Sequence, residues 1–296
     1  MPTKKKAAAK PVAKGNVKAA ETPEGKKSVW LTYSPTEKKE LEKLAKGYRA
    51  FLTACKTERE SVTETIRQAE AAGYVELSRA TRRGRKLRPG DKVYTVGMKK
   101  TIALFHIGSA SLEQGLSILG AHIDSCRLDL KQNPLYEDGG LAFFDTHYYG
   151  GIKKYQWVAL PLALHGVVVK KDGRVVEVKL GEGEDDPVFC VTDLLPHLAQ
   201  EQMEKKAAKV VEGENLDVLV GSLPLAKKEK DAVKFGVLAL LKEQYGISED
   251  DFLSAELSLV PAGRAREMGF DRSLILGYGQ DDRVCAYTSL AAMLEV

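Results

Sequence analysis

Cysteine is scarce in this 296-residue chain: Cys55, Cys126, Cys190 and Cys285 are widely separated and never form a Cys-x-x-Cys pair. That spacing offers neither a disulfide framework nor a thiolate zinc site, and it points to a reducing, cytoplasmic setting. No apolar stretch approaches the roughly 20 residues that cross a bilayer, and no apolar segment follows the N-terminus as in a secretory signal. A membrane partner is therefore not expected. Aromatic residues make up 7% of the chain and are not interleaved with basic ones, as a base-stacking surface requires. The net charge of +4 is no sign of specific nucleic-acid binding. Residues 1–27 carry 8 Lys and 2 Glu, so they account for +6 and leave the remainder at −2. This Lys/Ala/Pro tail is too polar and too low in complexity to pack a core, and it reads as a disordered, solvated extension.

What is present is enough apolar material, 44% of residues, for a sizeable core. The length leaves room for about two domains. Ser34-Pro35-Thr36-Glu37 and Thr57-Glu58-Arg59-Glu60 are capping boxes, and each precedes apolar residues at helical spacing. Gly73 is placed to end the second helix. The basic run SRATRRGRK (78–86) reads as an exposed loop. TIALFHIG (101–108) and LSILGAHI (116–123) are short continuous apolar runs, expected as strands buried on both faces of an α/β sheet. The stretch 157–180 holds two β-rich runs joined at Lys171-Asp172-Gly173, a hairpin signal. Residues 233–245 predict a helix stopped by Gly246. AELSLV and SLILGYG then return to buried-strand character before a helical pattern over 280–296. An α/β layer interrupted by a β-rich block is the pattern of one domain inserted into another. The expected division is a tail over 1–27, a first segment over 28–127, a β-rich insert over 128–252 and a second segment over 253–296.

In open α/β sheets, sites gather at the carboxyl ends of strands. His122 and Asp124 fall at such an end, and on a strand residues two apart share a face. His-x-Asp therefore aims an imidazole and a carboxylate into one cleft, although a surface or core pair has the same spacing. A second polar cluster, Gln280-Asp281-Asp282-Arg283, follows another apolar run and opens a helix. Carboxylates there also cap the helix and favour its dipole. Together, two strand-end clusters of imidazole and carboxylate suit a two-part metal site. His106 reads as a core histidine within its strand, and His165 as a group that packs or hydrogen-bonds in the insert.

LGAHIDS (119–125), NPLYED (133–138), THYYGGIKKYQW (146–157), LALHGVVVKKDG (162–173), DLLPHLAQEQM (193–203) and GQDDR (279–283) together resemble the aspartyl aminopeptidase and vacuolar aminopeptidase I family. The resemblance runs from about Trp30 to Val296. It implies a dinuclear zinc exopeptidase, with Co2+ or Mn2+ as alternative ions, that removes N-terminal residues from peptides. The fold it implies is a discontinuous catalytic domain, with a mixed sheet flanked by helices, interrupted by a dimerisation domain that builds a homo-oligomer. His122 would be a ligand of one zinc, Asp124 would orient it and support catalysis, and Asp281 would bridge the two ions. His197 would reach a neighbouring subunit's site and steady the substrate. In the family a Glu-Glu pair, a further acidic ligand and a last histidine follow the aspartate helix; this sequence has no Glu-Glu pair. The expectation is the first two-thirds of such an enzyme, short of ligands and of its general base on its own. The alternative is a non-catalytic assembly partner for a separate C-terminal half or an intact paralogue. Cys126, where the family pattern has proline, reads as a small apolar filler beside the site.

Overall fold

Both capping boxes form. Ser34 and Glu37 exchange hydrogen bonds between side chain and backbone (2.7 and 3.3 Å) at the start of α1 (Pro35–Ala54). Thr57 and Glu60 do the same for α2 (Glu58–Ala71), beyond which Gly73 takes a positive φ of 88°. The computed structural model describes residues 28–225 and 230–296, so the expected tail over 1–27 lies outside the described residues. The described chain divides into two units at Leu44/Ala45. The first holds a short helical turn, Val29–Leu31, and the first half of α1. The second, from Ala45 onward, holds the end of α1 and every element after it.

After α2 come β1 (Val75–Glu76), the single turn α3 (Leu77–Ala80), β2 (Lys92–Gly97) and β3 (Thr101–His106). These three strands make a small sheet in which β1 and β2 are parallel and β2 and β3 antiparallel. Next come β4 (Arg127–Asp138), β5 (Leu141–Tyr149), β6 (Leu162–Val169), β7 (Val175–Leu180), α4 (Gln200–Met203), β8 (Val218–Gly221), α5 (Ala232–Tyr245) and β9 (Ala255–Pro261). β10 (Arg266–Met268), β11 (Leu274–Leu276) and α6 (Gln280–Glu295) complete the chain. The result is a mixed α/β fold.

Six strands form one antiparallel sheet in the order β7-β6-β9-β4-β5-β8. Its core is Leu128, Phe144, Leu162, Leu164, Leu216 and Leu259, each nearly or wholly removed from water, with Phe252 set edge-on to Phe144. Each such side chain contributes about 1.5–3 kcal/mol. The hairpin at Lys171-Asp172-Gly173 joins β6 to β7, with Gly173 at φ 84°. α5 covers the sheet and ends at Gly246, as its sequence requires. A second core joins Tyr48, Phe51, Leu52 and Cys55 of the α1 end to Tyr287 and Leu290 of α6.

Three expectations are corrected. β9, assigned above to the segment after residue 252, lies between β6 and β4, because its alternating partners on both sides complete the sheet's hydrogen-bond ladder. The sheet thus runs to Pro261. Residues 116–123 form no strand and are mostly exposed, since an apolar run becomes a strand only where neighbours pair its backbone, and none does among the described residues. β3 and β11 alternate between half-buried and exposed positions instead of being buried on both faces, which leaves His106 half-buried.

The first turn of α2 fixes the helix to the sheet. Glu58 pairs with Arg127 of β4 (2.7 Å), Arg59 with Glu256 of β9 (2.8 Å) and Glu60 with His165 of β6 (2.9 Å). Three consecutive residues of one capping box reach three different strands.

Candidate metal centre

His122, Asp124 and Asp281, predicted from two separate clusters, meet. Asp124 is a carboxylate and only accepts, so the His122 Nδ1 proton points to it; the Nδ1–Oδ1 distance is 3.0 Å. The opposite ring atom, Nε2, stands 3.3 Å from Asp281 Oδ1. Partial burial opposes a charged His122, but the hydrogen bond and charge of Asp124 outweigh it and raise the His122 pKa above its ordinary value. Burial likewise opposes ionisation of Asp124, and the hydrogen bonds from Tyr149 and His122 outweigh it, so the Asp124 pKa is lowered.

The loop that carries these groups is tied down residue by residue. Ser125 Oγ donates to the Asp281 carbonyl (3.0 Å), and the Tyr278 hydroxyl donates to the Cys126 carbonyl (2.8 Å). These two bonds bring the 122–126 segment to the start of α6. Arg283, 1% exposed, anchors the other side: its Nη2 donates to the Lys56 carbonyl (3.1 Å) and its guanidinium lies 5.4 Å from the Tyr278 ring. Burial pushes the Tyr278 hydroxyl pKa upward, so it stays a donor. Cys126 is half-buried and lies where a Cβ on Gly150 would touch its sulfur, in keeping with a filler role.

Tyr149 was not among the site residues expected from the sequence. Its hydroxyl donates to Asp124 Oδ2 (2.9 Å), which leaves neither oxygen of that carboxylate free. Arg127, also not foreseen, covers the Tyr149 ring at 4.0 Å and is itself held by Glu58 and Asp129. Arg127 and Tyr149 are cross-strand partners in the β4–β5 register. The run Tyr148-Tyr149-Gly150-Gly151 was the available signal; the register was not readable.

His197 lies apart. It is exposed in a turn before α4, and no hydrogen bond or ion pair joins it to His122, Asp124 or Asp281 among the described residues.

The donor chemistry suits a divalent zinc ion, which takes neutral imidazole nitrogen and carboxylate oxygen. With Nδ1 committed to Asp124, Nε2 is the atom left to bind, and Asp281 presents an almost fully exposed carboxylate to it. Doubly protonated, the ring bridges two carboxylates; without the Nε2 proton, Nε2 and Asp281 Oδ1 are a donor pair, so metal and proton compete. Among the described residues no group of three or more His, Cys, Asp or Glu is gathered about one point. The type of donor fits, and the number present is part of a site.

Residues 51–296 match the model of the aminopeptidase I zinc metalloprotease (M18) family, and the chain belongs to that family. It is 57% identical over 271 residues to a probable M18 family aminopeptidase 1 of Clostridium acetobutylicum, covering 91% of this chain and 58% of that protein. The crystal structure of an M18 aminopeptidase from Thermotoga maritima has a TM-score of 0.84 and 47% identity, over 90% of this chain and 57% of the other. A structure described as the S. cerevisiae mApe1 dodecamer shares the fold alone, at a TM-score of 0.64 and 18% identity. The chain thus spans a little under 60% of the length of these relatives. Its lineage is that of metalloaminopeptidases, which are hydrolases. Among the described residues no helix is long and apolar enough to cross a membrane.

Proposed function

We propose that this chain provides the His122–Asp281 part of a dinuclear zinc centre in an aminopeptidase that removes N-terminal residues from peptides. The observation that carries this reading is the two-sided arrangement of His122, with Nδ1 held by Asp124 and Nε2 turned to Asp281. His122 would hold one ion, and Asp281 would be shared with the second. When bound, two such ions supply an ionised water near neutral pH and a Lewis acid for the scissile carbonyl. Co2+ and Mn2+ suit the same oxygen and nitrogen donors. Asp124 holds the imidazole in the tautomer that binds. His197, exposed and away from the site of its own chain, serves a neighbouring copy by steadying its substrate. The six-stranded sheet with its covering helices is the dimerisation domain of a homo-oligomer, inserted between the two segments of a catalytic domain. The four free cysteines fit a cytoplasmic setting.

A second reading concerns what completes the site. Leu112, Leu116, Ile118 and Leu119, directly before His122, are between 62% and 80% exposed. This unpaired apolar run fits a chain that works as an assembly partner, its remaining ligands and general base coming from a separate C-terminal polypeptide or an intact paralogue.

Zinc content and aminopeptidase turnover of the 296-residue chain, alone and mixed with the C-terminal part of an M18 relative, test both readings. His122→Ala and Asp281→Ala are each expected to reduce zinc uptake of the complete assembly at least tenfold; unchanged uptake would overturn the site. Turnover by the chain alone, with two zinc ions bound, would overturn the need for a partner. In the assembly, His197→Phe is expected to lower turnover and leave zinc in place.

A further inference from the structure

His122 Nδ1 faces both the Asp124 backbone carbonyl (3.1 Å) and its carboxylate (3.0 Å), and the carboxylate orients the ring only if it is itself oriented. A carboxylate on a half-exposed loop is held in one orientation most firmly when both oxygens accept hydrogen bonds. Here Oδ1 accepts from His122, and Oδ2 accepts from the Tyr149 hydroxyl at 2.9 Å. Tyr149 is the last residue of β5, so this bond ties the loop to the six-stranded sheet. The ring is fixed in turn by the Arg127 guanidinium, which lies over its face at 4.0 Å. Arg127 is kept in place by 2.7 Å contacts to Glu58 and Asp129, and Asp129 accepts from Ser258 Oγ at 2.7 Å. The chain of contacts runs from the first turn of α2 and the sheet centre, through Arg127, Tyr149 and Asp124, to His122.

We propose that Tyr149, clamped by Arg127, is a positioning residue for the metal centre: it locks the Asp124 carboxylate so that His122 keeps its proton on Nδ1 and turns Nε2 toward Asp281. The inference rests on the metal-site reading above. It also assigns the sheet a direct part in the site, because the clamp consists of residues on β4 and β5.

Tyr149→Phe removes one hydroxyl and keeps the stacked ring. In the metal-free 296-residue chain, the 15N shifts of the His122 ring, recorded above its titration, report the tautomer directly. The wild type is expected to show the Nδ1–H form alone, and Tyr149→Phe a mixture of both forms, with an unchanged thermal midpoint. Zinc affinity, measured by chelator competition, is expected to fall about tenfold, the usual effect of losing an outer partner of a metal ligand. A single Nδ1–H tautomer in Tyr149→Phe would overturn the proposal. Should that variant fail to fold, Arg127→Lys, which leaves the phenol but removes its flat cover, is read by the same 15N criterion. The tautomer measurement needs no metal. If His122→Ala leaves zinc uptake unchanged, the metal-site reading fails; if His122→Ala lowers uptake while Tyr149→Phe keeps one tautomer, only the positioning role fails.

Discussion

His165 and His122 each stand between two carboxylates, one inside the molecule and one at its surface. His165 is 1% exposed, with Nδ1 at 2.9 Å from Glu60 and Nε2 at 3.1 Å from Glu182. Every carboxylate oxygen around it is engaged by the protein. Glu60 Oε2 accepts from the Lys56 and Thr57 backbone N–H groups, and Glu182 Oε2 accepts from the Gly263 N–H. Lys56, 3% exposed, adds a buried cation 3.5 Å from Glu182. At His122 the other pattern holds: the Asp281 side chain is 97% exposed, and among the described residues its one ion pair is with the imidazole. An imidazole between two carboxylates is therefore a structural joint where protein donors fill all the oxygens. Where one carboxylate is left open to solvent, as at His122, it fits the ligand pair proposed above.

The largest expected effect lies at the closed pair. His165→Leu takes the buried imidazole from the half-buried Glu60 and Glu182, and loss of one partner of a buried ionic group costs about 3–5 kcal/mol. Urea unfolding should show this loss, while zinc uptake of the folded assembly should be unaltered. An unchanged urea midpoint would erase the distinction between the two histidines.

pH sharpens the same contrast with a smaller effect. Burial opposes a charged His165, but its hydrogen bonds to Glu182 and Glu60 and their charges outweigh it, so its pKa is raised above 6.5. Stability from this group is complete below its unfolded value and is lost as pH rises through the higher folded value. Burial also opposes ionised Glu60, and the His165 bond with the His165 and Lys179 charges outweighs it, so its pKa is lowered below 4.5. That contribution is complete above 4.5 and is lost as pH falls through the lower folded value. The network is thus at full strength between the two unfolded values. Wild type should lose more stability than His165→Leu as pH rises from 6.5 through the higher folded value of His165. Taking the difference between the two proteins removes the contribution of His122, whose pKa is shifted in the same direction. Parallel stability curves for the two would refute the coupling.

The two histidines also show how far local sequence reaches. The H-x-D and D-D-R clusters, both capping boxes, the hairpin and the α5 stop were legible because each depends on neighbours a few residues apart. The partners of His165 lie 105 and 17 residues away, and Tyr149 reaches Asp124 across 25 residues. Such contacts depend on strand register and on which helix docks on which strand. β9 was assigned to the wrong layer for the same reason: AELSLV reads alike in either sheet, and only its pairing with β4 and β6 decides. Residues 116–123 failed differently, since apolar composition marks a strand but cannot supply its neighbours.

The smallest effect is expected at the open pair. Asp281→Asn keeps the shape of the side chain and removes its charge. The Ser125 Oγ bond to the residue 281 carbonyl does not involve that side chain and should persist. What is lost is one exposed ion pair with His122, and such pairs contribute about 0–1 kcal/mol. In the metal-free chain, urea unfolding of Asp281→Asn should therefore fall within about 1 kcal/mol of wild type, against several for His165→Leu. In the zinc-loaded assembly the order reverses: Asp281→Asn should lose the stabilisation that bound metal confers in proportion to its occupancy. Equal sensitivity of Asp281→Asn with and without zinc would mean that its carboxylate serves the fold, as Glu60 and Glu182 do.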